Sequence, residues 1–111
     1  MEKGISTLLH RLGITTNYFG FYYMADSIQL LLERPERLTL VTKWLYPDIA
    51  KKNNTTPERV ERNMRTTIRL AWSSNPKLVE QLAGRPLTSA PTVTQMLSYL
   101  LRHFMSLHTM A

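Results

Sequence analysis

The polar side of residues 57–72 combines arginines, carboxylates and a threonine, which are groups that pair with nucleic-acid base edges and phosphates. Arginine can donate two parallel hydrogen bonds to guanine O6 and N7, and a carboxylate can accept one from cytosine N4. Arg62 is the best candidate for the first contact, and its neighbour Glu61 for the second. At about 100° per residue, this side contains Glu58, Glu61, Arg62, Arg65, Thr66 and Arg69.

A helix must position these side chains, and the sequence supplies both its start and its buried face. Thr56 is a suitable N-cap, and Pro57 fits the first helical position because its missing N–H is not needed there. Apolar residues recur at helical spacing on the opposite side, namely Val60, Met64, Ile68 and Ala71. The spacing therefore predicts an amphipathic helix over 57–72, with Met64 buried and the arginines exposed.

A shorter helix is predicted immediately before it, in the sequence YPDIAKK. Pro47 opens this helix, and Ile49 and Ala50 face inward, whereas Lys51 and Lys52 face outward. Four polar residues form the turn between the helices, namely Asn53, Asn54, Thr55 and Thr56. The spacing is that of a helix-turn-helix unit over about residues 47–73. A structural helical hairpin with a solvated basic face is the alternative.

Positive charge is concentrated on this pair of helices. The chain has a formal net charge of +6, and residues 51–69 contain six basic and two acidic residues, a local net charge of +4. Such a cluster attracts a polyanion and speeds encounter with it. A patch that merely confers solubility is the alternative. The residues that flank the face or lie at the helix start suit phosphate contacts, namely Lys51, Lys52, Thr55, Thr56, Arg59 and Arg69.

The residue types give no support for an enzyme, a metal site or a cofactor site. The chain contains no cysteine, and its histidines His10, His103 and His108 lack the spacing and the third ligand of a metal site. Its four glycines are isolated and form no phosphate-binding loop. No apolar run reaches the ~18 residues of a membrane span, and the N-terminus lacks the features of a signal peptide, so we expect a cytoplasmic location.

The rest of the sequence predicts an all-α bundle of about six helices in one domain, residues 1–111. We expect helices over 5–12, capped by Ser6 and ended by Gly13, then over 18–33 and 36–45. Whether Pro47 kinks the last of these or starts a new helix is open. The helix over 18–33 is apolar on most of its circumference, which predicts a central, buried element. Its aromatic run 18–23 is expected to pack in the core, with a base-stacking platform as the alternative.

Two further helices follow the helix-turn-helix. Asn75 is predicted to cap a short helix that Gly84 ends, and residues 85–91 form an irregular link. Thr92 and Gln95 form a capping box for the last helix. Its apolar stripe predicts core packing at Val93, Met96, Leu97, Leu100, Leu101 and Phe104. A partner-binding surface at its end is the alternative use of Met105, Leu107 and Met110.

Several of these motifs carry a resemblance to a known family. YPDIAKK, then NTT and RVER, with Arg65 three residues later and LAW at the end, resembles the C-terminal effector domain of stage-zero sporulation protein A. The resemblance begins near the H-x-x-G-I run at residues 10–14, includes the aromatic run 18–23 and fades after about Gly84.

The resemblance implies sequence-specific binding of double-stranded DNA by a transcription regulator. Its Glu-Arg pair and following arginine, which face DNA in that family, correspond to Glu61, Arg62 and Arg65. The family commonly has histidine where this chain has Thr66, so the resemblance leaves open which bases are read there. The resemblance also implies a head-to-tail homodimer on DNA and contact with RNA polymerase. Full-length members carry a receiver domain, so the chain is either a fragment or a stand-alone effector. The alternative function is a protein-interaction module that pairs with a full-length regulator and modulates it.

Overall fold

The computed structural model describes the backbone of residues 2–110 and the side chains of residues 3–107. Six α-helices occupy most of this part of the chain, and no strand occurs in it, which confirms the predicted all-α bundle. Their bounds are α1 Glu2–Arg11, α2 Phe19–Glu33, α3 Tyr46–Lys52, α4 Pro57–Ser74, α5 Pro76–Ala83 and α6 Val93–Met110. None of the described helices is long and apolar enough to cross a membrane.

Helix α2 lies at the centre of the bundle, as its apolar circumference predicts, and contacts α1, α3, α4 and α6. Met24, Ile28 and Leu31 of α2 are fully buried in the single hydrophobic core. Its aromatic residues are divided between the core and the surface. Phe21 and Tyr23 are buried, but the expectation of core packing was wrong for Tyr18, Phe19 and Tyr22, which are exposed. Successive helical residues point about 100° apart, so a run of aromatics cannot all face inward.

Local capping signals are satisfied as predicted. The side chains of Thr56 and Asn75 each accept a hydrogen bond from the backbone N–H three residues further on. Thr92 and Gln95 exchange reciprocal hydrogen bonds of 2.9 and 3.1 Å, which is the capping box of α6. Gly84 ends α5 in the left-handed conformation, with φ of 76°. These short-range bonds fix the starts of α4, α5 and α6.

The start of α1 differs from the prediction. The helix begins at Glu2, so Ser6 lies inside it and is not the N-cap. The backbone carbonyl oxygen of Ser6 instead lies 2.8 Å from Nδ1 of His10, one turn further on. Gly13 follows the end of α1 with φ of 85°, as expected for a glycine that terminates a helix.

Residues 36–45 are helical but not α-helical, which corrects the predicted third helix. A 3₁₀-helix over Pro35–Leu40 is followed by a π-helical turn over Val41–Leu45. The N–H of Tyr46 donates to the carbonyl oxygen of Val41 five residues earlier, which is the hydrogen bond of a π-helix. Pro47 cannot donate the next such bond because it has no N–H. Pro47 thus lies in the first turn of α3, which is a separate helix. Apolar side chains of this segment nevertheless face the core: Val41 and Leu45 are buried, and Leu38 is partly buried against the core.

Helix α6 buries all six apolar residues of its predicted stripe: Val93, Met96, Leu97, Leu100, Leu101 and Phe104. Met105 and Leu107 are exposed, which agrees with the alternative of a surface at the end of this helix. The ring of His103 packs edge-on against Phe104, with the ring centroids 5.0 Å apart. The side chains of His108 and Met110, for which we also made predictions, lie outside the described residues.

Candidate nucleic-acid interface

Helices α3 and α4 pack against each other as the predicted helix-turn-helix. Ala50 of α3 and Val60 of α4 are both buried, so a small side chain lies where the two helices meet. Asn54 in the turn has φ of 53°, a left-handed conformation that asparagine tolerates better than most residues. The N–H of Thr55 donates to the carbonyl oxygen of Ala50 at 2.9 Å and closes the turn.

Helix α4 has a buried side and an exposed cationic side. The buried residues are Val60, Met64, Thr67, Ile68 and Ala71. Arg62, Arg65 and Thr66 are exposed on the opposite side, and Glu61 is half-buried beside them. The helix thus points its arginines outward, and the predicted assignment of the two sides is confirmed.

Four basic side chains on this surface have no ion pair or side-chain hydrogen bond with another described residue. They are Lys51 on α3 and Arg59, Arg62 and Arg69 on α4, and all are exposed. Arg62 and Arg69 lie two turns apart on one side of the helix. This row of unpaired positive charges is the part of the surface best suited to a polyanion.

Arg65 differs from these arginines because it is already paired. Its Nη1 donates to Oε1 of Glu61 at 2.9 Å, one turn earlier on α4. Both side chains line a groove of about 370 Å³ between α4 and residues 90–94. The ring of Tyr46 lies in the same groove, where burial raises its pKa to about 12. The Glu61 carboxylate adds to this pKa increase, and the Arg65 guanidinium opposes it.

Lys52 is also paired, and its partner lies outside the helix-turn-helix. Its Nζ lies 2.9 Å from Oδ1 of Asp26 on α2. The other oxygen of this carboxylate accepts a hydrogen bond of 3.0 Å from the side-chain amide of Asn53, which also donates to the carbonyl oxygen of Ile49. Sequence reasoning missed Asp26, because no local signal connects residues 26 positions apart.

Gly20 is a second residue whose role no local sequence signal indicates. It lies where α2 passes α4, and a Cβ atom there would overlap the Thr67 side chain and lie 2.9 Å from the carbonyl oxygen of Asn63. Thr67 is buried and its hydroxyl donates to that same carbonyl oxygen at 2.7 Å. The missing side chain of Gly20 therefore lets α2 support α4 from behind the exposed side.

Comparison with known families now connects this geometry with function. The family model described as "Sporulation initiation factor Spo0A C terminal" matches residues 5–104 of the 111-residue chain. The chain belongs to this family. The Spo0A C-terminal family is the DNA-binding effector domain of a sporulation response regulator, so the chain is a DNA-binding domain of transcription regulation.

The matched region also corrects the extent of the resemblance. It does not fade after Gly84, since the Spo0A C-terminal match continues through the link and most of α6 to Phe104. It also begins at Ile5, within α1, and not near His10. Ile5 and Phe104 are both fully buried in the core that contains α2 and α4. The helices outside the helix-turn-helix thus belong to the same family domain.

Proposed function

We propose that the chain recognises specific sequences in double-stranded DNA by inserting α4 into the major groove as the recognition helix. In a helix-turn-helix, the second helix lies in the major groove and the first crosses the DNA backbone. Arg62 would contact guanine and Glu61 cytosine, and Arg65 and Thr66 would contact neighbouring bases. The exposure of Arg62, Arg65 and Thr66 supports this assignment. We propose that residues 1–111 act as one effector domain.

Six further residues would contact phosphates, and they surround the base-reading residues. They are Lys51, Lys52, Thr55, Thr56, Arg59 and Arg69, at the end of α3, in the turn and along α4. Side chains of these types make the contacts to phosphate oxygens that fix the register of a protein on DNA. A helix N-terminus at Pro57 adds favourable electrostatics for a phosphate.

The position of Arg62 is the observation that carries the proposal. It is exposed at the centre of the polar side of α4, and its guanidinium has no partner among the described residues. Phosphates lie to either side of the major groove, so a central arginine meets bases. Glu61 beside it repels phosphate, and a carboxylate at this position favours base recognition over simple charge attraction.

A selection of bound sequences from a random duplex pool, followed by titrations of the preferred and a random duplex, tests the proposal. Arg62→Ala should cost about 1–3 kcal/mol on the preferred duplex and much less on the random one. Lys51→Ala should weaken both by similar factors and lower the salt slope by about one. With about four to six phosphates contacted, the wild-type slope of log K against log salt should be roughly −4 to −5.

Arg11→Ala is the matched control. Arg11 is an exposed arginine at the end of α1, in an open groove with α5 and α6. Removing it changes the net charge as much as Arg62→Ala does, but should not change the ratio of preferred to random affinity. Equal losses on both duplexes for Arg62→Ala and Lys51→Ala would mean that α4 is only an electrostatic patch.

The family relationship also suggests partners. We propose that two copies bind head to tail on DNA and that the bound domain contacts RNA polymerase. Sedimentation on duplexes with one or two sites should then show cooperative binding of a second copy. A protein-interaction module remains the second candidate, supported by the exposed apolar side chains of Phe19 and Leu107. Absence of duplex binding by the isolated chain, together with capture of a full-length regulator, would favour that function.

A further inference from the structure

Asp26 connects the central helix to both the last lysine of α3 and the first residue of the turn. One carboxylate oxygen binds Nζ of Lys52 at 2.9 Å, and the other binds the amide of Asn53 at 3.0 Å. The side chain of Asp26 is 19% exposed, whereas that of Lys52 is 62% exposed. The carboxylate is therefore held in place while the ammonium group of Lys52 remains accessible to another anion.

Lys51 and Lys52 are adjacent, but the contact with Asp26 makes them electrostatically different. Both are exposed at the end of the helix that would cross the DNA backbone, and Lys51 has no partner among the described side chains. A phosphate that binds Lys52 must displace a carboxylate, whereas one that binds Lys51 displaces only water and small ions. The Asp26 carboxylate, left without its lysine, would then lie close to the negatively charged phosphate, which is unfavourable.

Asp26 cannot follow Lys52 to the DNA. It belongs to α2, whose neighbouring residues Met24, Ser27 and Ile28 are buried, and Asn53 holds its second oxygen. A lysine side chain can reorient by rotating its four-carbon stem, but a short carboxylate on a packed helix has little such freedom. Binding of Lys52 to a phosphate would therefore separate the lysine from Asp26.

We propose that Asp26 is a positioning residue that competes with phosphate for Lys52, weakens the phosphate contact proposed for this lysine and thereby limits affinity for any duplex. This inference rests on the proposed function of the helix-turn-helix. A backbone contact carries no sequence information, so its loss lowers affinity for preferred and random duplexes by the same factor. Base recognition by α4 is unaffected.

Asp26→Asn is the decisive variant. An asparagine keeps the shape and can still accept the hydrogen bond from Asn53, but loses the charge that holds Lys52. Affinity for both the preferred and the random duplex should rise about threefold to tenfold near 0.1 M salt, and the salt slope should become steeper by about one. The ratio of the two affinities should stay constant.

Glu33→Gln provides the matched control. Glu33 is an exposed carboxylate two turns further along α2, without a partner among the described side chains. The substitution Glu33→Gln removes the same charge from the same helix as Asp26→Asn does, but it should change the salt slope by much less. In the double variant Asp26→Asn with Lys52→Ala, the gain should disappear, because the released lysine is absent.

A second comparison leaves the contact between Asp26 and Asn53 intact. Lys52→Ala should reduce wild-type affinity clearly less than Lys51→Ala does. Equal losses for the two lysines, or a gain from Asp26→Asn that persists with Lys52→Ala, would overturn the inference while DNA binding stands. A wild-type chain that binds no duplex overturns the proposed function and this inference together.

Discussion

The two sides of α4 show how one helix separates stability from recognition. The inward side contains Val60, Met64 and Ile68, all fully buried against the other helices. The outward side contains Arg62 and Arg69, exposed and without partners among the described residues. Burial of apolar surface stabilises the fold, whereas exposed unpaired charges contribute little to it. Substitutions on the inward side should therefore change mainly the free energy of unfolding, and those on the outward side mainly the affinity for DNA.

Met64→Ala should give the largest loss of stability. Met64 is fully buried and its sulfur lies 3.9 Å from the hydroxyl of Ser27 on α2. The cavity and the lost apolar burial should cost about 2–5 kcal/mol in the free energy of unfolding, measured by urea denaturation. Leu107→Ala is the control, since Leu107 is exposed and its truncation should change stability by less than about 0.5 kcal/mol. Similar losses in the two variants would contradict the comparison.

Gly20→Ala should give the next largest loss, because it pushes α2 away from the inward side of α4. The added methyl group would overlap Thr67 and press on the Asn63 carbonyl, at a cost of about 1–3 kcal/mol. Gly4→Ala in α1 is the matched control, because its new Cβ would have its nearest neighbour at 3.8 Å. That variant should be neutral or stabilising by up to about 1 kcal/mol, since alanine favours helices. Thermal unfolding of both variants distinguishes the two cases.

The pH dependence of stability should report the burial of Tyr46, which lies in the groove beside Glu61 and Arg65 of α4. Its pKa is about 12 in the folded chain against about 10 when unfolded, so folding favours the neutral phenol. This contribution is complete below pH ~10 and is lost as pH rises from about 10 to 12, because only the unfolded state then releases the proton. Relative to Tyr46→Phe, the wild type should lose about 1 kcal/mol between pH 8 and 11. Equal pH profiles would mean that Tyr46 is not buried as described.

Arg65→Ala should have the smallest effect on stability. It removes an exposed pair between residues one turn apart, which is typically worth less than about 0.5 kcal/mol. Binding of the preferred duplex should nevertheless weaken measurably, because Arg65 belongs to the proposed base-reading surface. Urea denaturation and duplex titration of the same preparation provide the comparison. A stability loss as large as that of Gly20→Ala would show that the outward side also supports the fold.

Most of the helices could be predicted because their signals are local. Thr56, Asn75 and Thr92 each bond within three residues of their own positions, so sequence spacing alone identifies these caps. The buried and exposed sides of α4 follow from helical periodicity in the same way. Residues 36–45 were less predictable, since the apolar spacing fits an α-helix although the backbone forms a 3₁₀-helix and then a π-helical turn.

Contacts between distant residues account for what the sequence did not reveal about the candidate interface. The two lysines of YPDIAKK look equivalent in sequence, and only the packing of α2 against α3 places Asp26 beside Lys52 and leaves Lys51 unpaired. The glycines at 4 and 20 likewise look equivalent, and only the passage of α2 across α4 makes the second one necessary.

The sequence by itself determined the class of the fold, the helix-turn-helix and the side of α4 that is cationic. These properties depend on side-chain types at spacings of three or four residues, which a helix places on one side whatever surrounds it. The tertiary structure decided which charges of that surface remain unpaired and how closely α2 supports it. Those properties depend on distances between Asp26 and Lys52 and between Gly20 and Thr67, and such distances exist only after the helices have packed.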